Sequence, residues 1–324
     1  MRKRGIPPAR TLKFRQASRP TLGRIAVAFE AEIRRIGICR RLPDVCARAV
    51  TPDEYCRRKA SPAGSSLYYG VRVLPPAKQQ AMVAVHAFCR EVREVLHEVA
   101  DPRVARLKLD WWRTEIDAAV EGRAQHPVAQ ALMPALATFD LPRDRLDAVI
   151  GGVMADLERP AYPDFAALEE HCRNVAGNVW LLCAAIAGGA DAATRLYGSE
   201  LGVALRLTAI IRNLGAELRR GRLYLPRDEL ERFGVDADDL WRRQAPPGFA
   251  ALMSHQTGRA RARYATALTA LSPTARRAQR PGLIVAAIGA ALLDEIERDG
   301  FRVLDRHIAL TPLAKVWAAW KASR

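Results

Sequence analysis

No run of apolar residues in this chain approaches the roughly 18 to 20 that a helix needs to cross a bilayer. The longest, Val179 to Ala187 and Leu283 to Leu293, fit buried helix segments. Nothing alternates with period two for long enough to build a sheet. The six cysteines (Cys39, Cys46, Cys56, Cys89, Cys172 and Cys183) form no Cys-x-x-Cys pair and have no histidine at zinc spacing. That excludes a zinc-finger reading and fits a reduced cytoplasmic setting. Acids are missing from the first 29 positions, where Arg2, Lys3, Arg4, Arg10, Lys13, Arg15, Arg19 and Arg24 all precede Glu30. The apolar core of a secretory leader is missing there too.

What is present is a chain of 324 residues, 49% hydrophobic and 27% charged, with a net charge of +16. This is enough for one large globular domain. Half of the positive excess sits in the first 29 residues, so residues 1–44 read as a basic extension that orders poorly, with a short amphipathic helix from Leu22 to Ile36. Such an arm is open to three readings: peripheral contact with an anionic lipid surface at about 1 kcal/mol per basic residue, weak nucleic-acid binding, or a start-codon artefact of a gene of high GC content.

Residues 45–324 carry helical periodicity throughout. Helices are expected over Ala77–Ala100, Val104–Val120, Val128–Thr138, Arg143–Leu157, Phe165–Ala187, Ala192–Leu218, Gly248–Leu271, Leu283–Arg298 and Pro312–Trp320. The breaks at Gly122, Pro142, Pro160 to Pro163, Gly188-Gly189, Gly221, Pro246-Pro247 and Pro281-Gly282 are short punctuators rather than linkers. The fold class is therefore all-α, in one domain.

The segment Ala87-Phe-Cys-Arg-Glu-Val-Arg-Glu-Val-Leu-His-Glu98 carries the densest information. It keeps company with Gly64-Ser-Ser-Leu-Tyr-Tyr69, Leu74-Pro-Pro76, Trp111-Trp-Arg113, Val175-Ala-Gly177, Leu207-Thr-Ala-Ile-Ile-Arg212, Gly221-Arg-Leu-Tyr-Leu-Pro226, Val303-Leu-Asp-Arg306 and Leu310-Thr-Pro-Leu313. In that order and spacing these blocks resemble the squalene and phytoene synthase family, head-to-head prenyltransferases, and most of all its presqualene diphosphate synthase branch. The resemblance spans Thr51 to Trp320. It implies an isoprenoid synthase bundle whose helices surround an apolar cavity. The implied activity is condensation of two farnesyl diphosphates on the way to squalene, hopanoids or carotenoids, with Mg²⁺ as cofactor and a companion synthase or reductase as partner.

Magnesium prefers hard oxygen ligands and bridges carboxylate to phosphate. The family supplies these from two aspartate-rich helical motifs. Here the first motif's positions fall at Arg93, Glu94 and His97, and the second's at Asn213 and Glu217, with no aspartate at any of them. Further departures are Arg206 and Ala209 in place of Gln and Asn, His171 in place of Tyr, Trp180 in place of Gly and Ala161 in place of Arg. Tyr68, Tyr69, Arg90, Arg212, Arg222 and Tyr224 match family positions that line the ionisation site or contact diphosphate. For Arg90 and Arg212 the structural alternative is pairing with Glu94 and Glu217; for Tyr68 and Tyr69 it is core packing.

Two expectations follow. Either Glu94, Glu98 and Glu217 act as substitute metal ligands and the enzyme survives, or the chain is a prenyl-lipid binder or assembly partner with activity impaired or lost. Glu94-x-x-His97 has the spacing of helical di-metal sites, with Glu170, His171 and Glu217 as partner-helix candidates. Arg93 and Trp180 discriminate: an outward Arg93 and an open cavity favour catalysis, a filled cavity favours the binder. The cluster Arg219-Arg-Gly-Arg222 reads as a phosphate contact rather than a nucleic-acid patch, since no nucleic-acid motif accompanies it.

Overall fold

Prolines and side-chain caps set where the helices begin. The computed structural model describes residues 50–158 and 161–323. The basic extension and the helix expected over Leu22–Ile36 lie outside them. Thr51 caps α1 (Pro52–Ala60) by accepting from the Glu54 amide, and Ser65 caps α2 (Ser66–Val71) through the Tyr68 amide. Pro76 opens α3 (Pro76–Glu98), where its missing N–H costs nothing. Then come α4 (Pro102–Val120), α5 (Pro127–Phe139) and α6 (Arg143–Glu158).

The expected helix from Phe165 to Ala187 is interrupted by a π-type turn. α7 (Phe165–Cys172) passes into Arg173–Gly177, where the Asn178 amide reaches back to Arg173, and then into α8 (Asn178–Ala187). Asp191 caps α9 (Ala192–Leu218), the longest helix described. The remainder are α10 (Arg227–Arg232), α11 (Ala237–Trp241), α12 (Phe249–Ala270), α13 (Pro273–Ala278), α14 (Arg280–Arg298) and α15 (Pro312–Ser323). Among the described residues there is no strand, only one isolated bridge between Ala161 and Leu223. The all-α expectation holds.

α9 lies at the centre, packed along α12, α8, the π turn and α14, while α3 lies across α1, α5 and α8. Two glycines let α9 approach its neighbours. A Cβ on Gly202 would fall 2.4 Å from the Ala176 carbonyl oxygen, and one on Gly215 would fall 2.1 Å from that of Leu304. The Gly215 amide also donates to Val303 at 3.2 Å. The Gly202 contact seats α9 on the π turn, and the Gly215 contact pins the stretch between Asn213 and Glu217.

Candidate functional site

The charged half of α3 divides its side chains between two neighbours. Toward α1, Lys59 pairs with Glu94 and, at 2.9 Å, with Glu91. Tyr55 donates to Glu91 at 2.6 Å, and Arg90 donates to the Lys59 carbonyl at 2.8 Å. The expected Arg90–Glu94 pair does not form, because α1 supplies better-placed partners to both. Arg93 turns the other way. Arg206 on α9 is its strongest electrostatic neighbour and, with burial, holds its pKa below the ordinary guanidinium range, against smaller opposing effects of Cys89, Tyr224 and Glu217.

Around Arg206 is a buried polar network. Asp156 on α6, only 5% exposed, accepts hydrogen bonds from the hydroxyls of Tyr162 at 2.6 Å and Tyr224 at 2.8 Å. His171 Nδ1 lies 3.3 Å from the same carboxylate, and its Nε2 lies 3.1 Å from Arg206 Nη2. Burial pushes the His171 pKa down to about 3, so the ring is neutral and Nε2 can accept from the guanidinium. Arg206 stacks over Tyr224, 4.9 Å from the ring centroid. Burial works against its charge, but Tyr224 and Asp156 outweigh that and hold its pKa above the usual value.

Where α3, α9 and the loop after α9 meet, polar atoms lack partners. Arg206 Nε, Arg222 Nη1 and Glu217 Oε2 are buried without a hydrogen bond. Arg222 spends its Nη2 on the Leu96 carbonyl at 3.3 Å, and Glu217 Oε1 lies 3.5 Å from Arg220. Buried polar groups are nearly always satisfied. Each of the two guanidinium nitrogens without an acceptor is chemically suited to an anion.

The other expected residues fall elsewhere. Arg212 donates to Asn213 at 3.1 Å rather than pairing with Glu217, and its pKa is lowered by burial and then by Arg90. Glu98 is exposed and faces Lys108 at 3.3 Å, and Glu170 is exposed. The substitute ligands Glu94, Glu98 and Glu217 are therefore directed to Lys59, Lys108 and Arg220 respectively. Among the described residues no group of three or more His, Cys, Asp or Glu is placed to hold a metal. With Arg93 on the inner side, this donor set does not fit magnesium.

Tyr68 and Tyr69 meet edge to face at 5.4 Å, and Arg72 donates to the Tyr68 hydroxyl at 2.5 Å. Tyr68 lines a cavity of about 430 Å³ with Cys56, Arg72, Gln79 and Val83 at the opposite end of α3 from Arg93. Trp180 is 6% exposed, edge on to His86 of α3 at 5.3 Å, and a Cβ on Gly282 of α14 would fall 3.2 Å from its ring. The indole thus fills core space between α3, α8 and α14. Asp156 escaped sequence reading. Its carboxylate matters through Tyr162, six residues on, and Tyr224, 68 residues away, and no spacing rule links the three.

A family model described as squalene/phytoene synthase matches residues 60–314. The chain belongs to the squalene/phytoene synthase family. Its family relatives include a phytoene synthase of Mycobacterium tuberculosis, 33% identical over 79% of this chain and 85% of that one. A presqualene diphosphate synthase of Zymomonas mobilis is 32% identical over 78% of this chain and 87% of that one. Among solved structures, squalene synthase HpnC from Alicyclobacillus acidocaldarius is 28% identical and superposes with a TM-score of 0.66 over 77% of this chain and 94% of that one. A dehydrosqualene synthase, 24% identical, shares the fold with a TM-score of 0.74 over 84% and 95%. The fold of the family is thus present here.

Proposed function

We propose that this chain binds a prenyl diphosphate of the farnesyl class directly through arginines, without magnesium, and that its condensing activity is impaired or lost. The observation that carries the reading is Arg93 turned toward Arg206 and Glu217, with Arg206 Nε and Arg222 Nη1 buried and unpartnered. Guanidinium forks match phosphate oxygens in geometry and charge. The ligand class is supported by relatives named for phytoene and presqualene diphosphate synthesis.

Binding a diphosphate and expelling it are different tasks. Expulsion is accelerated only by interactions that strengthen as charge develops on the leaving group. Here Asp156, Tyr162, Tyr224 and His171 fix Arg206 in place, which suits recognition. Trp180 further takes up core space between α3 and α14, which supports a pocket less roomy than one built for two prenyl chains.

Titration calorimetry with farnesyl diphosphate tests this, run with chelator and then with Mg²⁺. Binding is expected in chelator. Arg206→Gln is expected to weaken it by about tenfold or more, as for loss of a charge-assisted contact. Metal-dependent release of a condensed hydrocarbon or its diphosphate precursor would overturn the reading.

A further inference from the structure

The cavity of about 430 Å³ lined by α1, α2 and the first half of α3 takes no part in the diphosphate reading. Its wall on α3 ends at Val83, ten residues before Arg93, or about 15 Å along the helix. One side is apolar, made by Val71, Leu74 and Val83; the other carries Arg57 and Arg72.

The polar side is rich in uncommitted donors. Among the described residues the Arg57 guanidinium, in the last turn of α1, makes no hydrogen bond or ion pair. Arg72 donates once, to the Tyr68 hydroxyl at 2.5 Å, and stacks over the same ring at 5.2 Å from its centroid. That contact holds the guanidinium at the wall and leaves its other donors available. Tyr68, accepting there, keeps its own proton for a further acceptor.

The one acid on the lining, Asp53, accepts from Gln80 at 3.0 Å. These two residues also border a smaller cleft with Ala77 and Thr138, so they stand in the partition between the two spaces. Two guanidiniums against one carboxylate leave a single positive charge in excess. The volume lies within the range of about 300 to 1,000 Å³ of small-molecule sites. At about 30 Å³ for each water-sized group it holds roughly 14 of them.

We infer that this cavity binds a small amphipathic carboxylate, its head on Arg57 and Arg72 and its hydrocarbon body against Val71, Leu74 and Val83. A carboxylate presents two oxygens in the plane that a guanidinium fork matches, and its one charge balances the excess. A diphosphate fits less well, because its further charges would face Asp53.

Decanoate, with about a dozen non-hydrogen atoms, fits this room and serves as the probe. Titration calorimetry on the full chain is expected to show one-to-one binding. 1-Decanol has the same body without the charge and should bind roughly tenfold more weakly. Arg57→Gln and Arg72→Gln, both at exposed positions, should each weaken decanoate roughly tenfold with unchanged circular dichroism. Arg58→Gln should leave it unchanged, since Arg58 pairs with Glu54 and does not border the cavity. Saturating farnesyl diphosphate should not displace decanoate, so this site and the diphosphate reading stand or fall separately. The inference is overturned if decanoate shows no saturable binding, if decanol binds as well, or if Arg58→Gln weakens decanoate as much as Arg57→Gln does. Displacement of decanoate by farnesyl diphosphate would also overturn it.

Discussion

Two charged clusters flank the same helix and are built on opposite principles. At Glu200 on α9 every charge is matched. Arg173 reaches Glu169 at 2.5 Å and Glu200 at 2.9 Å, and Arg263 reaches Glu200 at 3.0 Å and Glu169 at 2.8 Å. Two arginines and two glutamates there tie the π turn, α7, α9 and α12 together. Farther along α9, Arg206, Glu217 and Arg222 share a region rich in arginine and poor in acid, with three buried atoms unpartnered. A closed quartet holds structure. The open cluster leaves its donors unmatched by protein.

Breaking the closed quartet has the largest effect. Glu200 is 3% exposed, so Glu200→Ala removes two charge-assisted bonds and should lower unfolding stability by about 3 kcal/mol in urea. Farnesyl diphosphate binding by the folded fraction should not change. If stability holds and binding falls, the two clusters are not separate in role.

The open cluster is sharpened by pH through His171. Its native pKa of about 3 lies below the ordinary 6.5, so the unfolded chain takes up the proton first. The stability it contributes is complete above pH 6.5 and is lost as pH falls toward 3. Between about pH 7 and pH 5 this amounts to about 2 kcal/mol. His171→Asn should flatten the stability profile by that amount over this interval, measured by urea denaturation at each pH.

The smallest effect is expected at Glu217. Glu217→Gln removes an acid that acts on both Arg93 and Arg206, so affinity for farnesyl diphosphate should rise about two- to threefold, less than 1 kcal/mol, as for a partly screened charge. A fall in affinity would mean that Glu217 contributes to binding by ordering Arg220 and Arg222.

The sequence exposed the long helices because their apolar stripes repeat over several turns and prolines mark their starts. α1, α2, α10, α11 and α13 went unread because helices of five to nine residues carry too few repeats for a period to show. That omission had a consequence in the site. Without α1 there is no Lys59 for Glu94, and the local Arg90–Glu94 pairing looked the natural alternative. Arg93 and Trp180 could be singled out in the sequence because recognisable motifs surround them, and the structure places the first beside Arg206 and the second in the core. Asp156 could not be, since its partner Tyr224 lies 68 residues away and only the packed fold brings them together. The π turn has no reliable local signature, and it shows only in the backbone bond from Asn178 to Arg173.

The contact at Gly215 bears on reversibility. With no room for a Cβ and its amide committed to Val303, the backbone beneath Asn213 and Glu217 is held whatever side chains those positions carry. The path of the chain under these two positions is therefore indifferent to what they carry, and a change of chemistry there is a matter of side chains rather than of shape.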